Sequence, residues 1–339
     1  MRLRIRLVVV QQIATWLVWI LSLATVLAGT SPETLDVGRG AWGRLEHLGG
    51  QHWLMVVTRF DSRESSHLEF LESTNACRQW KRIGELREPG RKLDNGHLLR
   101  LPSGKLLLTG RCLIEGQSYQ LPVYASTNNG HSWQRLSNID ASEGTTAQRK
   151  KGLWEPFLYL LEDGRVSVIY SNEKHEGFSQ ILSQKTSSDG GRTWGAEQRI
   201  VEEPGGGKLR PGMGVVSRLK DGRYFLVYEV VGLGRGLVHY KISKDGVQWP
   251  KGLGMPIENH EAAPYVVTLS DGRLLLTSCS NVLSFSRDNG QTWQQLDNTP
   301  WDSKFRYTWP ALYETSPGEI VAVRSEGLVK LQWCPLPSR

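Results

Sequence analysis

An eight-residue motif, repeated along the chain, limits what this sequence can fold into. Ser187-Ser-Asp-Gly-Gly-Arg-Thr-Trp194 recurs as Ser286-Arg-Asp-Asn-Gly-Gln-Thr-Trp293 and as Ser126-Thr-Asn-Asn-Gly-His-Ser-Trp133. A copy one residue shorter is Ser243-Lys-Asp-Gly-Val-Gln-Trp249. A decayed copy is Ser73-Thr-Asn-Ala-Cys-Arg-Gln-Trp80, with Cys77 where the others carry glycine. The residues spell a tight turn. Asn75, Asn128, Asp189, Asp245 and Asp288 can accept hydrogen bonds from their own turn backbone, and the glycine supplies a positive φ. The closing tryptophan packs the turn on a neighbouring sheet. A motif used five times is expected to staple a fold rather than to do chemistry five times.

A second repeat runs out of phase with the first. Leu161-Glu-Asp-Gly-Arg-Val, Leu219-Lys-Asp-Gly-Arg-Tyr, Leu269-Ser-Asp-Gly-Arg-Leu and Leu101-Pro-Ser-Gly-Lys-Leu each lead from one apolar run into another. Thr315-Ser-Pro-Gly-Glu-Ile and His47-Leu-Gly-Gly-Gln-His complete the set. These are β-hairpin signals. Their glycines (Gly50, Gly104, Gly164, Gly222, Gly272 and Gly318) count six units of roughly 52 residues, enough for four strands of ordinary length with loops. An all-β, six-bladed β-propeller follows, closing its ring to protect sheet edges. A parallel β-helix needs a shorter period, and a sandwich does not explain two interleaved motifs. The 36 glycines and 13 tryptophans of the 339 residues suit such a turn-rich fold.

The amino terminus reads differently. Arg2, Arg4 and Arg6 precede an apolar stretch from Leu7 to Ala28, ending Val26-Leu27-Ala28. Its longest uninterrupted run begins only at Ile13, short of the ~20 residues of a spanning helix. Residues 1–28 therefore read as a secretory signal peptide and 29–339 as the propeller. The protein is expected to be extracellular and monomeric, without stable membrane association after cleavage. The alternative is an uncleaved anchor over residues 7–28. Basic residues exceed acidic ones by seven, and three of that excess lie in this segment, which argues against nucleic acid as a partner. Four cysteines (Cys77, Cys112, Cys279 and Cys334) allow three pairings and contain no CxxC. With no HExxH, phosphate loop or dinucleotide fingerprint either, no metal or cofactor is expected.

Aligning the six units on their glycines exposes what differs. Nine residues earlier stand Ala41 (or Trp42, if the first turn is shifted), Asn95, Glu155, Met213, Ala263 and Trp309. Seven later stand Val57, Arg111, Ser171, Glu229, Cys279 and Ser325. Two carboxylates stand out, Glu155 and Glu229, on strongly apolar strands of neighbouring units and at one end of them. Burial of a Glu there calls for a partner or a task. A pair of carboxylates across one mouth is what glycoside hydrolysis requires, one as acid and base, the other as nucleophile or base. The competing structural reading pairs each with an arginine such as Arg210 or Arg111.

The Ser-x-Asp-x-Gly-x-Thr-Trp copies resemble the Asp boxes of the sialidase superfamily. Within it, Gly152-Leu-Trp-Glu-Pro-Phe157, Leu209-Arg-Pro-Gly-Met213 and Val227-Tyr-Glu-Val230 are similar to the exo-1,5-α-L-arabinanases. That resemblance implies a six-bladed propeller releasing arabinobiose from arabinan ends with retention. It implies Glu155 as nucleophile and Glu229 as acid/base, although the residues themselves leave the two roles exchangeable. The partner expected is thus a polysaccharide or glycan. Trp154, Trp309 and Tyr307 are candidates to stack on sugar rings, Arg210 to orient a carboxylate, and Arg111 and Arg59 to contact substrate. True sialidases, which clamp a substrate carboxylate with three arginines and use a tyrosine nucleophile, are the alternative enzyme, and Arg59, Arg111, Arg210, Arg306 and Arg324 are the candidates for that clamp. Here the expected tyrosine position carries Trp309, with Tyr307 two residues earlier. A non-catalytic carbohydrate-binding propeller is the alternative of a different class.

Overall fold

The computed structural model describes residues 33–143, 152–297, 299, 308–325 and 327–336. The proposed signal segment, residues 1–28, lies outside them. Strand β1 (Thr34–Arg39) precedes blade one, which is β2 (Ala41–Gly49), β3 (His52–Phe60), β4 (Ser66–Ser73) and β5 (Lys81–Leu86). Blade two is β6 (Lys92–Arg100), β7 (Leu106–Ile114), β8 (Ser118–Ser126) and β9 (Gln134–Glu143). Blade three is β10 (Leu153–Leu160), β11 (Val166–Asn172), β12 (Ile181–Ser187) and β13 (Gln198–Val201). Blade four is β14 (Arg210–Arg218), β15 (Tyr224–Gly232), β16 (Gly234–Ser243) and β17 (Met255–Glu261). Blade five is β18 (Tyr265–Thr268), β19 (Leu274–Thr277), β20 (Leu283–Ser286) and β21 (Gln294–Gln295). Blade six joins both ends of the chain. Its order is β1, β24 (Leu328–Pro335), β23 (Glu319–Ser325) and β22 (Thr308–Ser316). The six-bladed propeller read from the turns is the fold.

The two repeats are two different turns. The second repeat joins strands one and two of each blade, and the Asp box joins strands three and four. Blade six takes its outermost strand from the other end of the chain, so it has no such turn. That is why six blades carry five boxes. Within a box, Ser187 Oγ donates to Asp189 Oδ1 at 2.8 Å and accepts the Gly191 N–H at 2.8 Å. Asp189 also receives the N–H groups of Arg192 and Thr193. The copies at Ser126, Ser243 and Ser286 repeat the serine-to-Asx bond. Each tryptophan reaches back one blade. Trp133 stacks on Phe70 at 5.0 Å, Trp194 Nε1 donates to Ser137 Oγ, and Trp249 Nε1 donates to Gln184 Oε1.

Strands one and two of the blades are buried on both faces, so they read as continuous apolar runs. In β7, Leu107 packs with Leu121, Val123 and Val168, whereas Leu106 and Leu108 pack with Val56 and Phe70 on the other side. Outer strands β5 and β21 are largely exposed. Arg59 pins the closing strand: its guanidinium donates to the carbonyls of Val37 and Arg39 and pairs with Glu69 at 2.6 Å. Because Thr34 pairs with Gln332 and Arg39 with Leu328, both the start of β1 and the end of β24 lie at the end of the ring remote from where β10 and β14 begin.

Candidate active site

The inner strands carry a shared irregularity near their starts. The ladder slips between Ala41 and Arg44, Asp94 and His97, Trp154 and Phe157, Gly212 and Val215, and Thr308 and Ala311. At these bulges Trp42, Asn95, Glu155, Met213 and Trp309 adopt φ between 50° and 54°, and Ala263 just before β18 adopts 43°. They are the residues of the aligned row, and the first unit contributes Trp42 rather than Ala41. Left-handed backbone costs a non-glycine residue on the order of 1–3 kcal/mol and is held only where the surroundings fix it. A glycine (Gly43, Gly96 or Gly214) or a proline (Pro156, Pro264 or Pro310) follows each bulge. At Gly96 a Cβ would stand 2.9 Å from Val56 Cγ2, so the preceding blade could not close against it.

A bulge frees a backbone N–H from the ladder, and a buried N–H needs an acceptor. Side chains of the preceding blade supply it. Thr58 Oγ1 accepts the Asn95 N–H at 3.0 Å, Glu155 Oε2 accepts the Met213 N–H at 3.2 Å, and Glu229 Oε2 accepts the Ala263 N–H at 2.7 Å. The Trp309 N–H is bonded to Cys279. Thr58 and Glu229 hold one place on the second strands of their blades, and Cys279 holds the same place two residues past the end of β19. Glu229 therefore fills a structural position with a group able to do chemistry.

Glu155 and Glu229 open on one mouth. Gly212 pairs with Glu229 across β14 and β15, and a Cβ built on Gly212 would lie 3.6 Å from Glu155 Oε2. Glu155 also accepts from the Ser171 hydroxyl at 2.9 Å. Burial pushes its carboxyl above the usual range, opposed by Ser171, by the Arg111 charge, by the Met213 N–H and by the Arg210 charge. Burial pushes Glu229 up to about 7; the Ala263 N–H opposes this, the Glu155 charge adds to it, and the Arg210 charge opposes it. Neighbouring carboxyls of raised proton affinity, Glu229 being the one that reaches neutrality, are the pattern that assigns an acid and a base.

Arg210, Arg111 and Arg59 are held by acids, whereas Arg44 in the channel donates to the carbonyls of Gly43 and Trp309. Arg210, expected to orient a carboxylate, does so for Glu173 rather than Glu155. Its Nη2 donates to Glu173 Oε1 at 2.6 Å and to Gln180 Oε1 at 2.8 Å, and it acts on both site carboxyls through charge. Glu173 Oε2 in turn accepts the Gly152 N–H at 3.0 Å, which ties this network to the start of the Glu155 strand. Arg111 grips buried Asp94 through two bonds of 2.7 and 2.8 Å, and its guanidinium carbon lies 4.7 Å from the Trp154 ring and 5.9 Å from Trp42. Arg59, expected at the substrate, is engaged by Glu69 and the closing strand instead. Trp154 and Trp309 are half-buried at the mouth, and Trp309 lies 4.4 Å from Trp42. Tyr307 lies outside the described residues. Ser171, Glu173, Gln180 and Asp94 were not singled out from sequence, although Ser171 stood in the aligned row.

The channel narrows below the mouth to a cavity of about 30 Å³ beside Glu155, Arg44, Asn95 and His97. A larger recess of about 460 Å³ opens at the remote end. Burial raises its Glu46 to about 8, but its other carboxylate, Glu314, is held by the Ser270 N–H and hydroxyl. Of the two openings, the narrow end is the one that brings two carboxyls within each other's field.

Gly212 makes that arrangement sensitive to a single methyl group. Its Cβ would stand 2.7 Å from Gln180 Nε2, which is held by the Pro211 carbonyl, and 3.3 Å from Ser171 Oγ. For the catalytic role proposed below, Gly212→Ala is expected to lower turnover about tenfold or more by displacing Glu155's neighbours, with a melting shift of only a few degrees. Parallel kinetic and thermal measurements on the variant check this.

Fold and turns together define a six-bladed propeller built on Asp-box repeats. The chain belongs to the BNR repeat-like domain family, which matches residues 120–308. Comparison with curated proteins returns no match. Among solved structures, the chain is similar to the α-L-arabinanase of Penicillium chrysogenum complexed with arabinobiose. The TM-score is 0.79 at 21% identity, covering 90% of this chain and 98% of that one. The GH93 α-L-arabinofuranosidase of Fusarium graminearum with arabinobiose gives 0.77 at 18%, covering 89% and 97%. The NanB sialidase of Streptococcus pneumoniae gives 0.65 at 12%, covering 93% and 72%.

Proposed function

We propose that this protein is a retaining exo-glycoside hydrolase that releases arabinobiose-type units from the ends of arabinan or a related polysaccharide. The observation that carries the reading is the pair of neighbouring carboxyls, Glu155 and Glu229, in one mouth and each anchored to the next blade's bulge amide. Glu229 is the acid: its raised proton affinity keeps it protonated towards neutral pH. It gives that proton to the glycosidic oxygen as the bond to the anomeric carbon breaks. Glu155, oriented by Ser171 and Met213, attacks the same carbon and forms a glycosyl ester. Glu229, now ionised, takes a proton from water, whose oxygen attacks the anomeric carbon and releases Glu155. Trp154 and Trp309 offer faces to the sugar rings. A signal segment at residues 1–28 would direct this activity outside the cell.

The sialidase alternative needs arginines to receive a substrate carboxylate bidentately. Of the five arginines that could form such a clamp, Arg59, Arg111 and Arg210 already carry Glu69, Asp94 and Glu173, and Arg306 lies outside the described residues. That favours an uncharged sugar. Incubation with linear arabinan and with sialyl-lactose separates the readings. Arabinobiose from the first and no free sialic acid from the second is expected. Sialic acid release overturns the reading in favour of a sialidase, and release from neither points to a binding propeller.

A further inference from the structure

Among the described residues four large apolar side chains are exposed, and three of them rim the mouth. Phe60, Ile114 and Val231 lie at or beside the ends of the second strands of blades one, two and four. Phe60 is the most exposed of these three, at 56%. Its backbone is fixed by its neighbour Arg59, whose guanidinium is locked between Glu69 and the closing strand. Its ring is not isolated. Phe60 lies 6.0 Å from Trp42, and the Arg111 guanidinium, held by Asp94, bridges from Trp42 to Trp154. Trp154 immediately precedes Glu155. Trp42 is itself buried, so these contacts back the exposed Phe60 ring with a packed layer that reaches towards the carboxyl pair. Large apolar side chains left in water around the rim of one mouth offer a ligand a place to lie. A phenyl ring has no hydrogen-bonding group, so it offers only a stacking face. That suits repeating sugar units, whose C–H faces are alike along a polymer.

Building on the glycosidase reading, we propose that Phe60 is the outer platform of an extended glycan track, which holds sugar units of the same polysaccharide chain away from the bond being cleaved. Phe60 touches none of the carboxyls and leaves the chemical step alone. It acts on the affinity for long chains.

The test follows KM and kcat on linear α-1,5-arabino-oligosaccharides of two to six units. For the wild type, KM should fall as the chain lengthens. Phe60→Ala should raise KM for the longest chain about tenfold, the scale of one aromatic contact, and leave kcat and the shortest substrate unchanged. Phe60→Trp should restore the wild-type trend. An unaltered dependence on chain length overturns the track while the glycosidase stands, as does a uniform loss at every length. If the wild type cleaves none of them, the glycosidase reading fails, and tryptophan fluorescence then reads binding of long and short glycans directly. A preference for long chains that Phe60→Ala removes upholds the track. Binding blind to Phe60, or no binding, overturns it.

Discussion

Glu229→Gln is expected to lower kcat/KM on arabinan by about 10²–10⁴, the contribution of a positioned general acid, and Glu155→Gln by at least as much through loss of the nucleophile. The fold should survive both. The side-chain amide oxygen that Glu229→Gln introduces can still accept the Ala263 N–H, as Thr58 and Cys279 serve the equivalent amides with uncharged atoms. The pH dependence carries the sign. In the proposed mechanism Glu229 acts protonated, so wild-type activity should fall as pH rises through about 7. The same mechanism needs Glu155 ionised, so activity should fall again on the acid side. Stability moves with the same group. The folded affinity of Glu229 is raised from 4.5 to about 7, so the native state binds the extra proton between those values, and stability declines as pH rises across that window. Glu229→Gln removes this decline. The variant should melt higher than wild type above pH 7 and match it near pH 4. A pH series of rates and melting temperatures on both proteins checks each limb, and an unchanged alkaline limb in residual activity would remove Glu229 from the acid's role.

The second large effect concerns an Asp box. Gly290→Ala should destabilise the protein by about 3 kcal/mol, combining a left-handed backbone with an overpacked contact. Gly290 sits at φ +87°, and a Cβ there would stand 2.2 Å from Phe225 Cε2 in blade four. Gly318 has the same φ of +87° with nothing within 4 Å, so Gly318→Ala should cost only the backbone part, about 1 kcal/mol. Denaturant midpoints of the two variants separate the terms. Equal costs would mean that the box does not clamp one blade to the next.

These turns were also what the sequence made legible. Both repeats are local, so their count returned six blades and placed Glu155 and Glu229 at corresponding strand ends. What local reading could not reach depends on pairing across the ring. That β1 completes blade six rests on contacts such as Thr34 with Gln332. The offset between Ala41 and Trp42 comes from a slip between His47 and Gly49, which brings the first turn's glycine one residue early. The partner of Arg210 is Glu173, on another blade and indistinguishable in sequence from a surface acid. Arg59 looked available for substrate because nothing in the chain announces that Glu69 and the carbonyls of the first strand will enclose it.

The two strands that close the ring have a practical corollary. Thr34 begins β1, and Pro335 ends β24, on the face opposite the carboxyl pair. A carrier domain, affinity handle or solid support joined ahead of β1 or after β24 would depart from that far face. The protein could be immobilised through either end, or displayed on a bead, with the mouth presented outward to a polymer too large to diffuse around it.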